Sequence, residues 1–220
     1  MSSLPYHLAE LAIALDPTRP EHLMPALAPR HRRVLDVGCG AGQTLVGSGM
    51  AEPDGEREGW GVDVDVEALA AGRARWPRLP LAAARGEALP FADASFDLVV
   101  SRVALPYMRI PVALAEFARV LRPGGDLWLA LHDWRMTRGE LRDALRRRAW
   151  KALAYRGYVA LNGLAFQVAG RVFAFPDGRG RVESWQGARG MRTALARAGF
   201  VDVALDGGRR AMVATARRPG

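Results

Sequence analysis

The run Val34-Leu35-Asp36-Val37-Gly38-Cys39-Gly40-Ala41-Gly42-Gln43, followed about twenty residues later by Gly61-Val62-Asp63, constrains this chain more than any other feature. The apolar residues into Asp36 predict a buried parallel strand, and the glycines predict a tight turn into a helix. Such a turn lets a ligand lie against bare backbone, with helix N–H groups pointing at it. The second apolar run ends on Asp63, a carboxylate able to accept both hydroxyls of a ribose. Together the two runs predict a nucleoside-cofactor site at the carboxyl ends of adjacent strands.

The glycine spacing separates two cofactor classes. A dinucleotide fold uses G-x-G-x-x-G, whereas here the third glycine is Gly42 and Gln43 stands where the dinucleotide pattern needs glycine. That disfavours a nicotinamide dehydrogenase. The pattern D-x-G-x-G-x-G resembles motif I of the class I S-adenosylmethionine (SAM)-dependent methyltransferases, in the type 11-like group. Leu89-Pro90-Phe91-Ala92-Asp93-Ala94-Ser95-Phe96-Asp97 is similar to that family's segment before the fourth strand. Glu116 with Arg119 to Gly125 resembles its turn before the fifth, and Leu195 to Phe200 its helix stop before the sixth. The resemblance covers roughly residues 30–132 and 188–217.

The resemblance implies SAM as cofactor and assigns residues to it. Asp36 is expected to orient the loop and the methionine ammonium, while Gly38, Cys39, Gly40 and Gly42 let backbone approach. Asp63 is expected to hold the ribose, with Val64 beside the adenine and Gly86, Glu87 and Ser101 completing the site. One position departs from the family: relatives often carry an Asp that accepts the adenine amino group, and Arg85 stands there. Arginine has only donors, so it is expected to point into solvent, with adenine held by backbone at Gly86 and by stacking; a reduced cofactor affinity is the alternative.

Alternating signals predict strands at 33–38, 59–63, 80–84, 96–101 and 126–132, with helices at 42–50, 65–75 and 110–121. That alternation implies an α/β fold with a Rossmann-like doubly wound, mainly parallel sheet. Helix 188–198 leads to a closing hairpin of 201–205 and 210–216 around Asp206-Gly207-Gly208. The resemblance makes the sheet seven-stranded with the last strand antiparallel. The expected organisation is one methyltransferase domain over 1–220, with residues 1–29 as an N-terminal cap segment. Residues 133–187 are too long for a connecting loop and form a helical lid insertion. Its first part, Thr137 to Lys151, reads as a helix with Arg138, Arg142 and Arg146 on a solvated face. Its second, Gly157 to Gly170, is shorter than the ~20 apolar residues a bilayer span needs and reads as a buried lid helix, with an interfacial helix as the alternative.

Acceptor chemistry is placed by the rule that ligands sit beyond the strand ends. His132 and Tyr107 are the candidate catalytic residues, since imidazole has the pKa to deprotonate a hydroxyl. Arg102, Tyr107, Trp150, Tyr155, Tyr158 and Phe166 are candidate acceptor contacts. Many relatives carry a histidine where Pro106 or Tyr107 stands, and that role is not inherited here. Methyl transfer needs chiefly a positioned nucleophile, so no single motif names the acceptor. No Asn-Pro-Pro-Tyr run points to DNA amino methylation, and no Cys/His cluster points to a metal.

Half of the 220 residues are hydrophobic, which excludes a disordered chain. The single cysteine excludes internal disulfides, and no basic, then apolar, leader opens the chain; a cytoplasmic protein is expected. The net charge of +8 rests on thirty arginines and one lysine, a bias read as codon composition rather than a nucleic-acid surface. The leading expectation is therefore a SAM-dependent methyltransferase acting on a small, apolar acceptor, with oxygen favoured as nucleophile. An RNA or tRNA methyltransferase using the arginines from Arg138 to Arg148, and a SAM-binding protein without catalysis, are the alternatives.

Overall fold

The computed structural model describes residues 4–19, 21–52, 56–207 and 211–220. Its centre is a seven-stranded sheet in the order β3-β2-β1-β4-β5-β7-β6. The strands are β1 (Arg33–Val37), β2 (Glu58–Asp63), β3 (Leu81–Ala83), β4 (Phe96–Arg102), β5 (Leu121–Leu131), β6 (Val201–Gly207) and β7 (Met212–Arg217). β1 to β5 pair in parallel, and β7 runs antiparallel to both β5 and β6. The order reverses between β1 and β4, so their carboxyl ends open a crevice where open α/β sheets bind ligands.

Both sheet faces are apolar, as parallel strands require. One carries Leu35, Val99, Leu127 and Leu129 beneath α4 (Ile110–Val120) and α7 (Ala188–Arg197), with Phe117 and Met191 fully buried. The other carries Val34, Leu98, Val100 and Trp128. There α3 (Val66–Arg75) is held at its start by the Asp65 carboxylate, which accepts the N–H groups of Glu67 and Ala68. At the far end of the sheet Asp126 gathers His31, Arg30 and Arg217.

Several boundaries differ from the sequence reading. The helix after the glycine loop, α2 (Gln43–Gly47), stops short of residue 50 because the chain reverses through Gly49 at φ +76°. β5 begins at Leu121, with Pro123-Gly124-Gly125 extruded as an irregularity of its register against β4. The hairpin turn at Gly208, and the strand start at Arg210, lie outside the described residues.

The insertion holds two helices, as expected, with other bounds. α5 (Trp134–Arg146) is capped by Asp133, whose carboxylate accepts the Met136 N–H. It breaks where Arg148 adopts φ +51°, and α6 (Trp150–Ala169) then runs to Gly170, which ends it in the left-handed conformation. α6 is not the buried helix expected of residues 157–170. It buries only Val159, Asn162, Gly163 and Phe166, and its opposite face is exposed. The Trp185 ring lies flush on Gly163 and donates its indole N–H to the Ala160 carbonyl (3.0 Å).

Candidate active site

The cofactor side is built on the β1 turn. Gly38, Gly40 and Gly42 all take positive φ (81°, 54° and 89°), a region that penalises any side chain. The N–H groups of Gly38 and Cys39 both donate to the Val62 carbonyl, tying the turn to β2. A side chain at Gly38 would collide with Ala104, so the turn after β4 packs directly on this backbone. That turn is entered through Val103 at φ +63°, a strained setting for a β-branched residue. Cys39 points inward and is buried; burial pushes its thiol well up, so it stays protonated.

Asp36 lies at the end of β1, 1% exposed, and neither of its oxygens has a hydrogen-bond partner of ordinary geometry among the described residues. Burial pushes its carboxyl up to about 7, with Arg102 and Thr44 opposing the rise and Asp63 adding to it. A buried carboxylate left this way is costly unless a cationic or donor group completes it. An ammonium-bearing ligand over the loop meets that need. Asp63, at the end of β2, uses one oxygen to accept the Gly40 N–H (2.7 Å) and the other to accept the Asp65 N–H (2.9 Å). Each oxygen keeps a second lone pair for a ribose hydroxyl.

Val64 stands beside Asp63, strongly exposed, an apolar surface that an adenine ring suits. Gly86 is packed against the Met108 side chain, and the Glu87 carboxylate accepts the Arg109 N–H (2.9 Å). Arg85 is exposed, as its chemistry predicts. Ser101 is fully buried and donates to the Val37 carbonyl (2.9 Å), so its hydroxyl joins β4 to β1.

The N-terminal helix α1 (Leu4–Leu15) lies across the glycine loop. His7 sits directly on bare Gly40, contacts Gln43 (3.1 Å) and approaches the Asp65 carboxylate (3.4 Å). Glu10 pairs with Arg102 (2.8 Å), whose Nε also reaches the Thr44 hydroxyl (3.3 Å). Arg102, expected among the acceptor contacts, thus lies beside the glycine loop, between α1 and α2. Sequence reasoning missed His7 and Glu10 because α1 carries no motif.

The acceptor side forms where the chain returns from the insertion. Ser184 and Gln186 donate backbone N–H groups to the carbonyls of Pro106 (3.1 Å) and His132 (2.8 Å). This strap sets buried Glu183 between Tyr155 (2.8 Å) and Arg156 (2.6 Å), and Arg156 also holds Glu140 (3.1 Å). Tyr107 meets His132 edge-on at 5.5 Å between ring centroids. Burial lowers the His132 pKa, Glu183 and Asp133 opposing and Arg156 adding to the fall. Burial, then Glu183, pushes the Tyr107 phenol up.

Four of the six acceptor candidates do not meet as a single wall. Tyr155 and Tyr158 lie together against Phe175, whereas Phe166 is fully buried in the core beside the α7 side and Trp150 is exposed at the start of α6. Glu183 and Arg156 were not legible as site residues, since nothing in their local sequence marks the strap.

A cofactor crevice at the strand reversal, floored by an orphaned acid and a side-chain-free loop, defines the nucleoside-binding fold of the class I SAM-dependent methyltransferases. Residues 35–129 match the model of the methyltransferase domain family. A malonyl-[acyl-carrier protein] O-methyltransferase of Methylococcus capsulatus is 35% identical over 143 residues, covering 63% of this chain and 48% of that protein. A ubiquinone/menaquinone biosynthesis C-methyltransferase of Dinoroseobacter shibae is 41% identical over 113 residues, 48% of this chain and 44% of that one. The solved structure of a SAM-dependent methyltransferase from Methanosarcina mazei shares the fold, with TM-score 0.57 and 17% identity over 89% of this chain and 99% of that one. Residues 35–129 thus carry a methyltransferase domain, and the chain shares the fold of the SAM-dependent methyltransferases. It spans less than half the length of these two curated relatives. Among the described residues no helix is long and apolar enough to cross a membrane, and no group of three His, Cys, Asp or Glu side chains could hold a metal.

Proposed function

We propose that the protein transfers the methyl group of SAM to a hydroxyl of a small, largely apolar acceptor, with His132 as the base and Tyr107 beside it. The observation that carries this reading is His132 itself. It directly follows β5, burial lowers its pKa and so favours the neutral ring, and among the described residues no hydrogen bond reaches that ring. A neutral, unengaged imidazole at the ligand crevice can take a proton from an acceptor oxygen at Nδ1 or Nε2.

Bound SAM supplies an electrophilic methyl on a sulfonium, already a good leaving group, so orientation provides much of the rate. Asp36 would meet its ammonium, Asp63 its ribose and Val64 its adenine. Tyr107 and the strap around Glu183 would exclude water from the acceptor. The identity with an O-methyltransferase supports oxygen as nucleophile; the identity with a C-methyltransferase favours carbon as the second reading.

The test is transfer of isotope-labelled methyl from SAM to a panel of phenols, aliphatic hydroxy compounds, carboxylates and quinol carbons, with products identified by mass spectrometry and NMR. O-methylated product, lost in His132→Gln with SAM affinity retained, is expected. Methylation at carbon, or full turnover in the variant, would overturn the assignment of His132.

A further inference from the structure

The chain's charge is not spread evenly. Residues 134–171, which span α5 and α6, hold nine of its cations and two carboxylates, a net +7 of the total +8. Among the described residues only Arg146 and Arg156 of these cations have a carboxylate partner. Arg135, Arg138, Arg142, Arg147, Arg148, Lys151 and Arg171 are exposed.

The same hairpin carries the longest exposed apolar stripe. On α6, Trp150, Ala154, Gly157, Leu161, Leu164 and Val168 follow one another at spacings of four, three, four, three and four residues. At 3.6 residues per turn this places them in one row, opposite the buried Val159, Gly163 and Phe166. Trp150 is 67% exposed, Leu161 70% and Val168 80%. Trp134 and Met136, at the start of α5, are exposed as well.

We propose that the α5–α6 hairpin docks on an anionic phospholipid surface, the stripe entering the headgroup boundary and the flanking cations meeting lipid phosphates. A helix with an exposed row of apolar residues, a Trp at its start and cations beside it has the composition of an in-plane interfacial helix. Trp150 stands at the end nearest Arg147, Arg148 and Lys151, where an aromatic ring suits the headgroup level. A second copy of the chain is a poor occupant, because pairing two stripes would bring two hairpins of +7 together. RNA is a poorer occupant, because its phosphates would meet the cations and leave the row of leucine and valine without an apolar partner.

The experiment is co-sedimentation of the full chain with vesicles of phosphatidylcholine alone and of phosphatidylcholine mixed with phosphatidylglycerol. Binding to the anionic vesicles only, released by salt, is expected. Leu161→Glu with Leu164→Glu should abolish it while the circular-dichroism melt and SAM affinity stay unchanged, since both side chains are exposed. Arg147→Gln with Arg148→Gln should weaken partition roughly thirty-fold, at about 1 kcal/mol for each cation near an anionic surface. The Trp emission should shift blue on vesicles, and Trp150→Phe should remove most of that shift. Equal binding to both vesicle types, no binding, or binding untouched by the leucine pair would overturn the proposal. So would a dimer in sedimentation that the leucine pair dissolves, or retention on RNA without affinity for vesicles.

Discussion

Replacing Asp36 with Asn removes a charge that the fold holds at a cost, and the cost can be worked out. The carboxyl rises from an ordinary 3.8 to about 7 on folding, about three pH units at about 1.4 kcal/mol each, or roughly 4 kcal/mol. The sign follows from proton counting. Between those two values the folded chain holds a proton that the unfolded chain has lost, so stability falls as pH rises. The contribution is fully present below about pH 4, is lost as pH approaches 7, and is flat above. Asp36→Asn has no such slope, so the variant should gain on the wild type steadily from pH 5 to 7 and keep a constant lead at pH 8. Urea unfolding of both proteins at four pH values reads this directly. Cofactor binding should go the other way. The ligand's ammonium favours ionised Asp36, so wild-type SAM affinity should climb up to tenfold per pH unit below 7 and level off above, by the same proton linkage. The Asn variant should bind weakly with no such climb. Parallel stability curves for the two proteins would refute the reasoning, because they would mean that Asp36 is solvated or paired in the folded chain.

Gly40→Ala, which forces a side chain into left-handed backbone under His7, should cut SAM affinity at least tenfold by calorimetry, with a smaller loss of stability. Gly38→Ala meets Ala104 and should cost several kcal/mol in denaturant unfolding, as overpacking of rigid backbone does. Phe166→Ala should destabilise by roughly 3–5 kcal/mol, the usual range for a fully buried aromatic ring; a loss below 1 kcal/mol would remove Phe166 from the core. If His132 acts as the base, kcat/KM for the acceptor at saturating SAM should fall on the acid side with a midpoint below the ordinary imidazole value, because burial lowers its pKa.

The nucleotide half of the molecule was legible because its parts are local. A strand that runs into three glycines needing positive φ, and a second strand ending on Asp63, state their geometry within a few residues each. Arg85 was readable from donor chemistry alone. The acceptor half was legible only at His132 and Tyr107, placed by the strand ends; Glu183 and Arg156 come to them through a strap with no regular structure. The break between α5 and α6 was expected after Lys151 and falls at Arg148, which takes positive φ without a glycine or proline to announce it. Trp150 and Phe166 were both read as pocket aromatics. On α6 they stand nearly half a turn apart, and only tertiary packing decides which faces the core.

The insertion leaves the sheet at Asp133 and is hydrogen-bonded back to His132 through Gln186. More than fifty residues therefore hang from one point at the end of β5, with their two ends adjacent. Closing so long a loop costs little more than closing a short one, and adjacent ends are the setting in which whole segments are exchanged without disturbing their host. A different hairpin could be grafted between residues 133 and 187 while the glycine loop, Asp36 and Asp63 stay as they are. Such a graft must supply an apolar plug in place of Phe166, which shares the core cluster with Met191 and Leu195, and an acceptor in place of Gln167 for the Gly190 N–H. On the proposed function, acceptor choice would be an interchangeable part, and the glycine loop with Asp36 and Asp63 the fixed socket that receives it.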